Sequence, residues 1–366
     1  MTEMLSYPPP ALRRPMPELM LEAQQLAFAP VSFMVCICMK RMGLWQALED
    51  SLGDGLTVPE AAERCEVSCY AASLLLESSL ATGAVQRKEQ RYHLSRLGHI
   101  LARDPMTTIN FEFIYEVCFK GLFHLEESLR QGKPAGLKEL GSWPTVYEGL
   151  SSLPTAARKA WLDFDHHYSD SAFHAALPYV LTQGVETLLD IGGNTGRFAQ
   201  ICLQASPCIK VTIADLPQQI ELARLHLEAE ENFDRIGFYP CDVLCSEATL
   251  PQAFQVIWMS QFLVCFDETQ ILSILTLARS VLTLHGRIFI LDTYWDRQST
   301  AAASFSLLQT SPYFTAIANG CSKMYESNII LKLAESAGLE LERSIDGLGI
   351  SHSLLVFKAS SIAKSL

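Results

Sequence analysis

The sequence predicts an α/β protein whose second half forms a mixed, seven-stranded sheet covered by helices, preceded by a mostly helical region containing a winged helix. Three observations carry this reading. From Thr187 onward, short apolar runs alternate with segments of helical periodicity, the pattern of strands laid side by side with helices crossing between them. A glycine-rich turn follows the first of these runs. The last two runs are separated by little more than Asp346-Gly347-Leu348-Gly349, too short for a crossover, so they should pair as an antiparallel hairpin.

Up to about residue 110 the chain reads as helical, with apolar spacing over Leu19 to Gln25 and Val31 to Ser51 and a break at Gly53-Asp54-Gly55. Thr57 is suited to cap a short helix that has Pro59 in its first turn and runs to Cys65. A second helix follows from Cys69 to about Thr82, then a turn at Gly83 and two short strands at Ala84-Val85 and Tyr92-His93-Leu94. This is a helix-turn-helix with a wing. In a DNA-binding protein its second helix would enter the major groove, yet here that helix contains no Lys or Arg. Residues 51–110 hold six basic side chains against seven acidic ones. Phosphate contact then has no electrostatic source, and a buried protein interface is the expected use of this apolar helix.

Composition sets compatible bounds. A chain of 366 residues suggests two domains. With 28 Lys and Arg against 40 Asp and Glu, the net charge of −12 argues against nucleic acid as a partner. Hydrophobic residues make up 49% and charged residues 19%, which excludes disorder as the main state. The longest apolar run, about Phe28 to Met39, is interrupted by Pro30 and falls short of the roughly 18 to 20 residues of a bilayer span. Met1 to Pro17 is rich in proline and has no apolar signal core, so a cytoplasmic protein without membrane attachment is expected. The 11 cysteines form no Cys-x-x-Cys pair and are expected to be reduced, with no metal site.

Phe111 to Val180 returns to a helical pattern with a loop at Gly132 to Gly141. The sheet region then runs strand Thr187–Ile191, helix Gly196–Ala205, strand Ile209–Ala214, helix Leu216–Ala229 and strand Ile236–Cys241. Strand Phe254–Met259, helix Thr269–Leu284, strand Arg287–Asp292, helix Ser327–Ala337 and the strands Leu341–Ile345 and Ser353–Lys358 complete it.

The sharpest motif is Asp190-Ile191-Gly192-Gly193-Asn194-Thr195-Gly196. Glycines let a chain turn tightly from strand to helix and let a ligand approach the backbone. Asp190, two residues before the first glycine, would repel a pyrophosphate and suits a cationic or amine-bearing ligand. Asp215, in Ile213-Ala214-Asp215-Leu216-Pro217, stands where ribose hydroxyls are accepted. Asp242, in Pro240-Cys241-Asp242-Val243, follows the third strand and is positioned for an adenine amino group. Three carboxylates at successive strand ends suit S-adenosylmethionine better than NAD.

At these residues the sequence resembles the class I S-adenosylmethionine-dependent methyltransferases, in particular the two-domain small-molecule O-methyltransferases of the caffeate and hydroxyindole type. The Asp-x-Gly-Gly-x-Thr-Gly turn, the Asp-Leu-Pro after the second strand, the winged helix and the terminal hairpin carry the likeness. It implies a Rossmann-like methyltransferase domain over 181–366, a winged-helix dimerisation domain over 1–110 that makes a homodimer, and a helical connector over 111–180 lining the active site. It also implies a small aromatic or polyketide-like acceptor. Carried over by position, the cofactor residues are Asp190, Gly192, Gly193, Asn194, Gly196, Asp215, Leu216, Asp242 and Val243. Asn194 replaces a glycine common in the family, a change that αL-tolerant Asn can accommodate. Ser260 and Gln261 resemble a cofactor-lining pair of bacterial members.

The catalytic pattern departs from the family. Anchored on Asp267-Glu268, the position of the family's histidine base is Leu263, which cannot accept a proton. Asp292 matches a family glutamate, and a second glutamate position falls near Lys323. A replacement base is sought in Asp163 to His174, where His167, Asp170, Ser171 and His174 share one helical face; His167 is the candidate, against the alternative of an interface histidine cluster. Tyr313, Phe314 and Met324 are candidates for an apolar substrate wall, and Cys265 and Cys321 for approach to the pocket. Loss of the family base leaves two alternatives beside O- or C-methylation: a cofactor-retaining homologue doing other chemistry, such as decarboxylation, hydroxylation or a pericyclic reaction, and a non-catalytic binding module.

Overall fold

In the computed structural model, residues Pro15 to Ser360 are described; most of the proline-rich start and residues 361–366 lie outside them. The chain divides into two compact units, with the boundary between Glu116 and Val117.

The first unit contains α1 (Met16–Ala27), α2 (Ala29–Arg41), α3 (Leu44–Glu49), α4 (Val58–Arg64), α5 (Cys69–Ala81), the hairpin β1 (Val85–Lys88) and β2 (Arg91–Leu94), α6 (Arg96–Arg103) and α7 (Pro105–Phe113). The helix expected over Val31 to Ser51 is two helices, because Gly43 takes φ 78° and ends one while starting the other. Thr57 caps α4 as its residue type predicts, in a reciprocal box where its N–H donates to Glu60 Oε2 at 2.8 Å. Leu44, Trp45, Leu56, Leu76, Val85 and Tyr92 are among the buried residues that join α3, α5 and the wing in one core. Helix α1 buries no residue. Met16, Met20, Leu21 and Leu26 are each more than half exposed, as are the following Phe28 and Val31.

The second unit begins with short pieces, among them α8 (Leu125–Gln131) and α9 (Val146–Gly149), and continues into the 26-residue α10 (Thr155–Val180). It then alternates β3 (Thr187–Ile191), α11 (Arg197–Ala205), β4 (Lys210–Asp215), α12 (Pro217–Leu227), β5 (Ile236–Pro240), β6 (Phe254–Ser260), α13 (Glu268–Ser280) and β7 (Leu282–Asp292). Helices α14 (Ala301–Tyr313) and α15 (Ser327–Ser336) and the hairpin β8 (Leu339–Leu348) and β9 (His352–Ala359) complete it. The seven strands lie in the order β5-β4-β3-β6-β7-β9-β8, with β3 to β7 parallel and β9 antiparallel to both its neighbours, β7 and β8, so the expected mixed seven-stranded sheet is present. One face packs on α10, α11 and α12 and the other on α13 and α15. Strand order reverses at β3, and crevices open at the carboxyl ends of strands beside such a switch point.

Three local expectations change. The helix expected to reach Leu284 stops at Ser280, because Leu282 pairs with Phe254 before the register jumps to Val256 and Arg287. The intervening residues bulge and leave Leu284 89% exposed. The terminal strands are longer than their apolar cores indicate, since pairing extends to Leu348 and His352 and narrows the turn to Gly349-Ile350-Ser351. Finally, α14 has no clean apolar face, with Pro312 inside it, and helical spacing did not reveal it. Among the described residues, no single helix is long and apolar enough to cross a membrane, and no group of three or more His, Cys, Asp or Glu could hold a metal ion.

Candidate active site

Strand β3 carries Asp190 one residue before its end, and the chain then turns through Gly192 at φ 76° and Gly193 toward α11. A Cβ at Gly192 would run into the Phe262 ring, and one at Gly193 would lie 2.8 Å from Asp190 Oδ2. Both positions need glycine for the backbone to pass this close. Asn194 adopts φ 50° in the left-handed region, as its residue type allows. Its N–H donates to Asp215 Oδ2 at 2.8 Å, while Leu216 N–H donates to Asp215 Oδ1 at 2.7 Å. Asp242, more exposed, accepts from Leu244 N–H at 2.9 Å just beyond β5.

These elements converge on a cavity of about 360 Å³, within the usual range for a small-molecule site. Asp190, Gly192, Gly193, Asn194, Asp215, Leu216, Asp242, Val243, Ser260 and Gln261 all line it. Gly196 does not. It sits one step behind at φ 78°, where Leu227 packs close enough to exclude a Cβ, so its role is to seat α11 on α12.

Some buried polar atoms of the lining residues have no hydrogen-bond partner within the protein. Asp190 Oδ2, Ser260 Oγ and Gln219 Oε1 make no hydrogen bond although their residues line the cavity. A buried polar atom left unsatisfied costs on the order of 1–3 kcal/mol, a cost that ligand hydrogen bonds remove. Burial and the Asp215 charge push the Asp190 carboxyl up to about 8. Burial pushes Asp215 up to about 6 against the lowering effect of its two backbone donors. Two carboxylates held above their ordinary range in one crevice favour a ligand carrying positive charge and hydrogen-bond donors. Gln261 supplies a further strained feature, with φ 48° and its N–H on Leu291 O at 2.9 Å.

The opposite wall comes from α9, α10 and the chain around residue 265. Helix α10 presents Trp161, Asp165, Ser169 and Phe173, spaced four residues apart, with His166 beside them. Trp161 Nε1 donates to Tyr313 Oη at 2.8 Å. Phe198 stacks on Trp258 at 3.9 Å between ring centroids. Tyr147, Phe262, Cys265, Phe266, Asn319 and Cys321 extend the wall. Asn319 Nδ2 donates to Cys265 O at 2.6 Å and to Ser322 Oγ at 2.8 Å, tying two of these segments together.

Neither of the two expected catalytic residues, His167 and Asp292, lines the cavity. His167 is not a lining residue of the cavity, because it stands two residues from both Asp165 and Ser169, a rotation of about 200°, and so points away from the stripe through residues 161, 165, 169 and 173 that faces it. His167 Nε2 is instead buried without a partner. Asp292 is 4% exposed at the end of β7, outside the cavity, where Thr293 N–H donates to it at 2.8 Å and Val264 N–H also bonds to it. Burial raises it to about 7, and its contacts are those of a carboxylate holding two chain segments together. Cys265 and Cys321 do reach the cavity, whereas Tyr313 acts through Trp161, and Phe314 and Met324 are buried outside the lining. Sequence reasoning missed Trp161, Asp165 and Tyr147. The four-residue spacing of Trp161, Asp165, Ser169 and Phe173 is the sequence signal for this stripe, and the neighbouring histidines mask it.

Residues 158–340, half of the chain, match the O-methyltransferase domain family. The chain belongs to this family. It is an S-adenosylmethionine-dependent methyltransferase, and the orphaned Asp190 and Ser260 atoms beside the two glycines fit that cofactor. Residues 20–92 match the Dimerisation2-like domain. Among curated relatives, L-tyrosine C(3)-methyltransferase of Streptomyces lavendulae is 26% identical over 282 residues, covering 75% of each chain. Among solved structures, the S-adenosylmethionine-dependent methyltransferase SibL in its apo form superposes with a TM-score of 0.69 at 20% identity, covering 92% of this methyltransferase and 98% of that chain. Human N-acetylserotonin methyltransferase in complex with SAM gives a TM-score of 0.64 at 16% identity, covering 96% and 100% respectively. These superpositions establish the shared fold.

Proposed function

We propose that this methyltransferase acts as a homodimer on a small phenolic acceptor, transferring the methyl group to the phenol oxygen. The single observation that carries the acceptor class is the composition of the cavity lining, where the aromatic side chains of Tyr147, Trp161, Phe262 and Phe266 occur together with the carboxylate of Asp165. Aromatic rings offer a flat apolar slot, and a buried carboxylate favours a donor such as a phenol O–H.

On the cofactor side, Asp190 would hold the amine of the methionine end, with Gly192 and Gly193 giving close backbone approach. Asp215 would accept the ribose hydroxyls through the lone pairs its backbone donors leave free, Asp242 the adenine amino group, and Leu216 and Val243 would flank the base. Ser260 and Gln261 would complete the cradle. S-adenosylmethionine supplies an already activated methyl on a sulfonium, so the protein's main task is alignment. Phe262 and Phe266, at 4.8 Å between centroids, would exclude water from the transfer path and restrict the acceptor plane.

The homodimer reading rests on α1 and the residues after it, whose exposed Met16, Met20, Leu21, Leu26, Phe28 and Val31 make an apolar surface of the kind that partners cover. Incubation with methyl-labelled S-adenosylmethionine and a panel of catechols, hydroxybenzoates and tyrosine is expected to give an O-methylated product. Label on an aromatic carbon would move the reading to C-methylation of the same acceptor class, and failure to bind S-adenosylhomocysteine would remove the cofactor assignments.

A further inference from the structure

We propose that Asp165 is the general base that removes the acceptor's phenolic proton and that His166 delivers this proton to water, an inference that rests on the phenolic-acceptor reading above. Five carboxylates line the cavity, and four of them have other employment. Glu148 is held in the cap of α9, accepting from Thr145 N–H at 2.8 Å and Thr145 Oγ1 at 2.6 Å. Asp190, Asp215 and Asp242 sit at the strand ends. Asp165 is the one carried on the aromatic wall, four residues after Trp161 and four before Ser169. The family's own base position is no competitor, since Leu263 is an apolar side chain 1% exposed.

The surroundings suit the task. Burial and Asp170 raise the Asp165 carboxyl, His166 opposes them, and the result is about 6, close to the poise a general base needs near neutral pH. From other elements, the Cys265 thiol and the Tyr313 phenol face its charge, and burial holds both of those well above neutrality, so neither takes the proton. His166 differs from Asp165 in being exposed while still lining the cavity, which connects the base to solvent.

In the step, the acceptor O–H bond breaks and its proton moves to an Asp165 carboxylate oxygen. The oxygen pair forms the new O–C bond as the methyl carbon–sulfur bond breaks, with that electron pair remaining on sulfur. The proton then leaves through His166, one per turnover.

The test uses Asp165→Asn in the full chain with catechol and 4-nitrocatechol, whose nitro group leaves it ionised at about pH 8 without help from a base. Methyl transfer to catechol should fall about 100-fold or more, while transfer to 4-nitrocatechol at about pH 8 stays within about fivefold of wild type. Asp165→Glu should recover much of the catechol activity. Independently of turnover, with S-adenosylhomocysteine bound at about pH 6, wild type should develop the yellow nitrocatecholate band and Asp165→Asn should not. His166→Gln should slow proton exit and alter the pH profile of catechol methylation without changing S-adenosylhomocysteine affinity. Equal losses on both acceptors, no loss on either, or a persisting nitrocatecholate band in Asp165→Asn overturns the assignment of the base. Wild type that binds S-adenosylhomocysteine but neither catechol overturns the acceptor reading, and this inference with it.

Discussion

The carboxylate of Asp215, at the end of one strand, accepts the backbone N–H of Asn194, in the glycine turn of the neighbouring strand, at 2.8 Å. This bond ties the two cofactor-side elements into one body and holds Asn194 in its left-handed conformation beside Gly192 and Gly193. Asp215 thus shapes the turn and, in the proposed cofactor reading, would also accept the ligand's ribose.

Replacing Asp215 with Ala removes both. Two hydrogen bonds to a charged group and the ribose contacts are lost together, so S-adenosylhomocysteine affinity should fall at least about 10- to 100-fold by calorimetry. Far-ultraviolet circular dichroism should remain that of wild type, since the sheet pairing of β4 does not depend on this side chain. Unchanged affinity would show that ribose is bound elsewhere.

If Asp190 holds the cofactor's amine as proposed, cofactor binding is proton-linked. Its carboxyl is raised to about 8 in the ligand-free cavity, so it is mostly protonated at neutral pH and must ionise to meet an ammonium group. Affinity for S-adenosylhomocysteine should therefore rise from about pH 6 through about pH 8 and decline only at higher pH, where the ligand's own amine loses its proton. Calorimetry in buffers of different ionisation enthalpy should register proton release near pH 7. Stability of the ligand-free protein runs the other way. A raised carboxyl means the folded state binds the proton more tightly than the unfolded one, so stability falls as pH climbs from the ordinary carboxylate value through about 8. Asp190→Asn should raise the thermal midpoint of the free protein at pH 8 and abolish the further rise that the ligand gives wild type.

The strand-end carboxylates were legible in the sequence because a βα turn fixes where the last residues of a strand point. Gly192, Asn194 and Asp215 could be placed on one crevice from spacing alone, and the cavity contains them. The acceptor wall was less legible for a physical reason. Around α10, polar residues occur on several faces, and a helix with Asp165, His166, His167 and Asp170 in six positions offers no periodic contrast to say which face turns inward. Only packing decides this, and here Trp161 and Phe173 set the inward stripe.

His167→Ala tests that rotation. With the imidazole outside the cavity lining, kcat for a phenolic acceptor should remain within about threefold of wild type, in the range expected when no proton transfer is lost. The thermal midpoint should move instead, because His167 Nε2 is buried. A drop in kcat of about 100-fold at unchanged stability would return the base to His167.

The exposed apolar helix α1 gives the last prediction. A single helix of 12 residues that buries nothing in its own unit is marginal in water, and its stability must come from a face covered by something else. Met16 and Met20 lie one turn apart on that helix, and the exposed Leu21 sits beside them. The double substitution Met20→Glu and Leu21→Glu places two charges on this surface without touching the core built from Leu44, Leu56 and Leu76. Light scattering after gel filtration should therefore read a homodimer for wild type and a monomer for the variant, with the variant's cofactor cavity still binding S-adenosylhomocysteine. A variant that stays dimeric would move the interface to another part of the N-terminal unit, such as the exposed Tyr70 and Leu74 of α5.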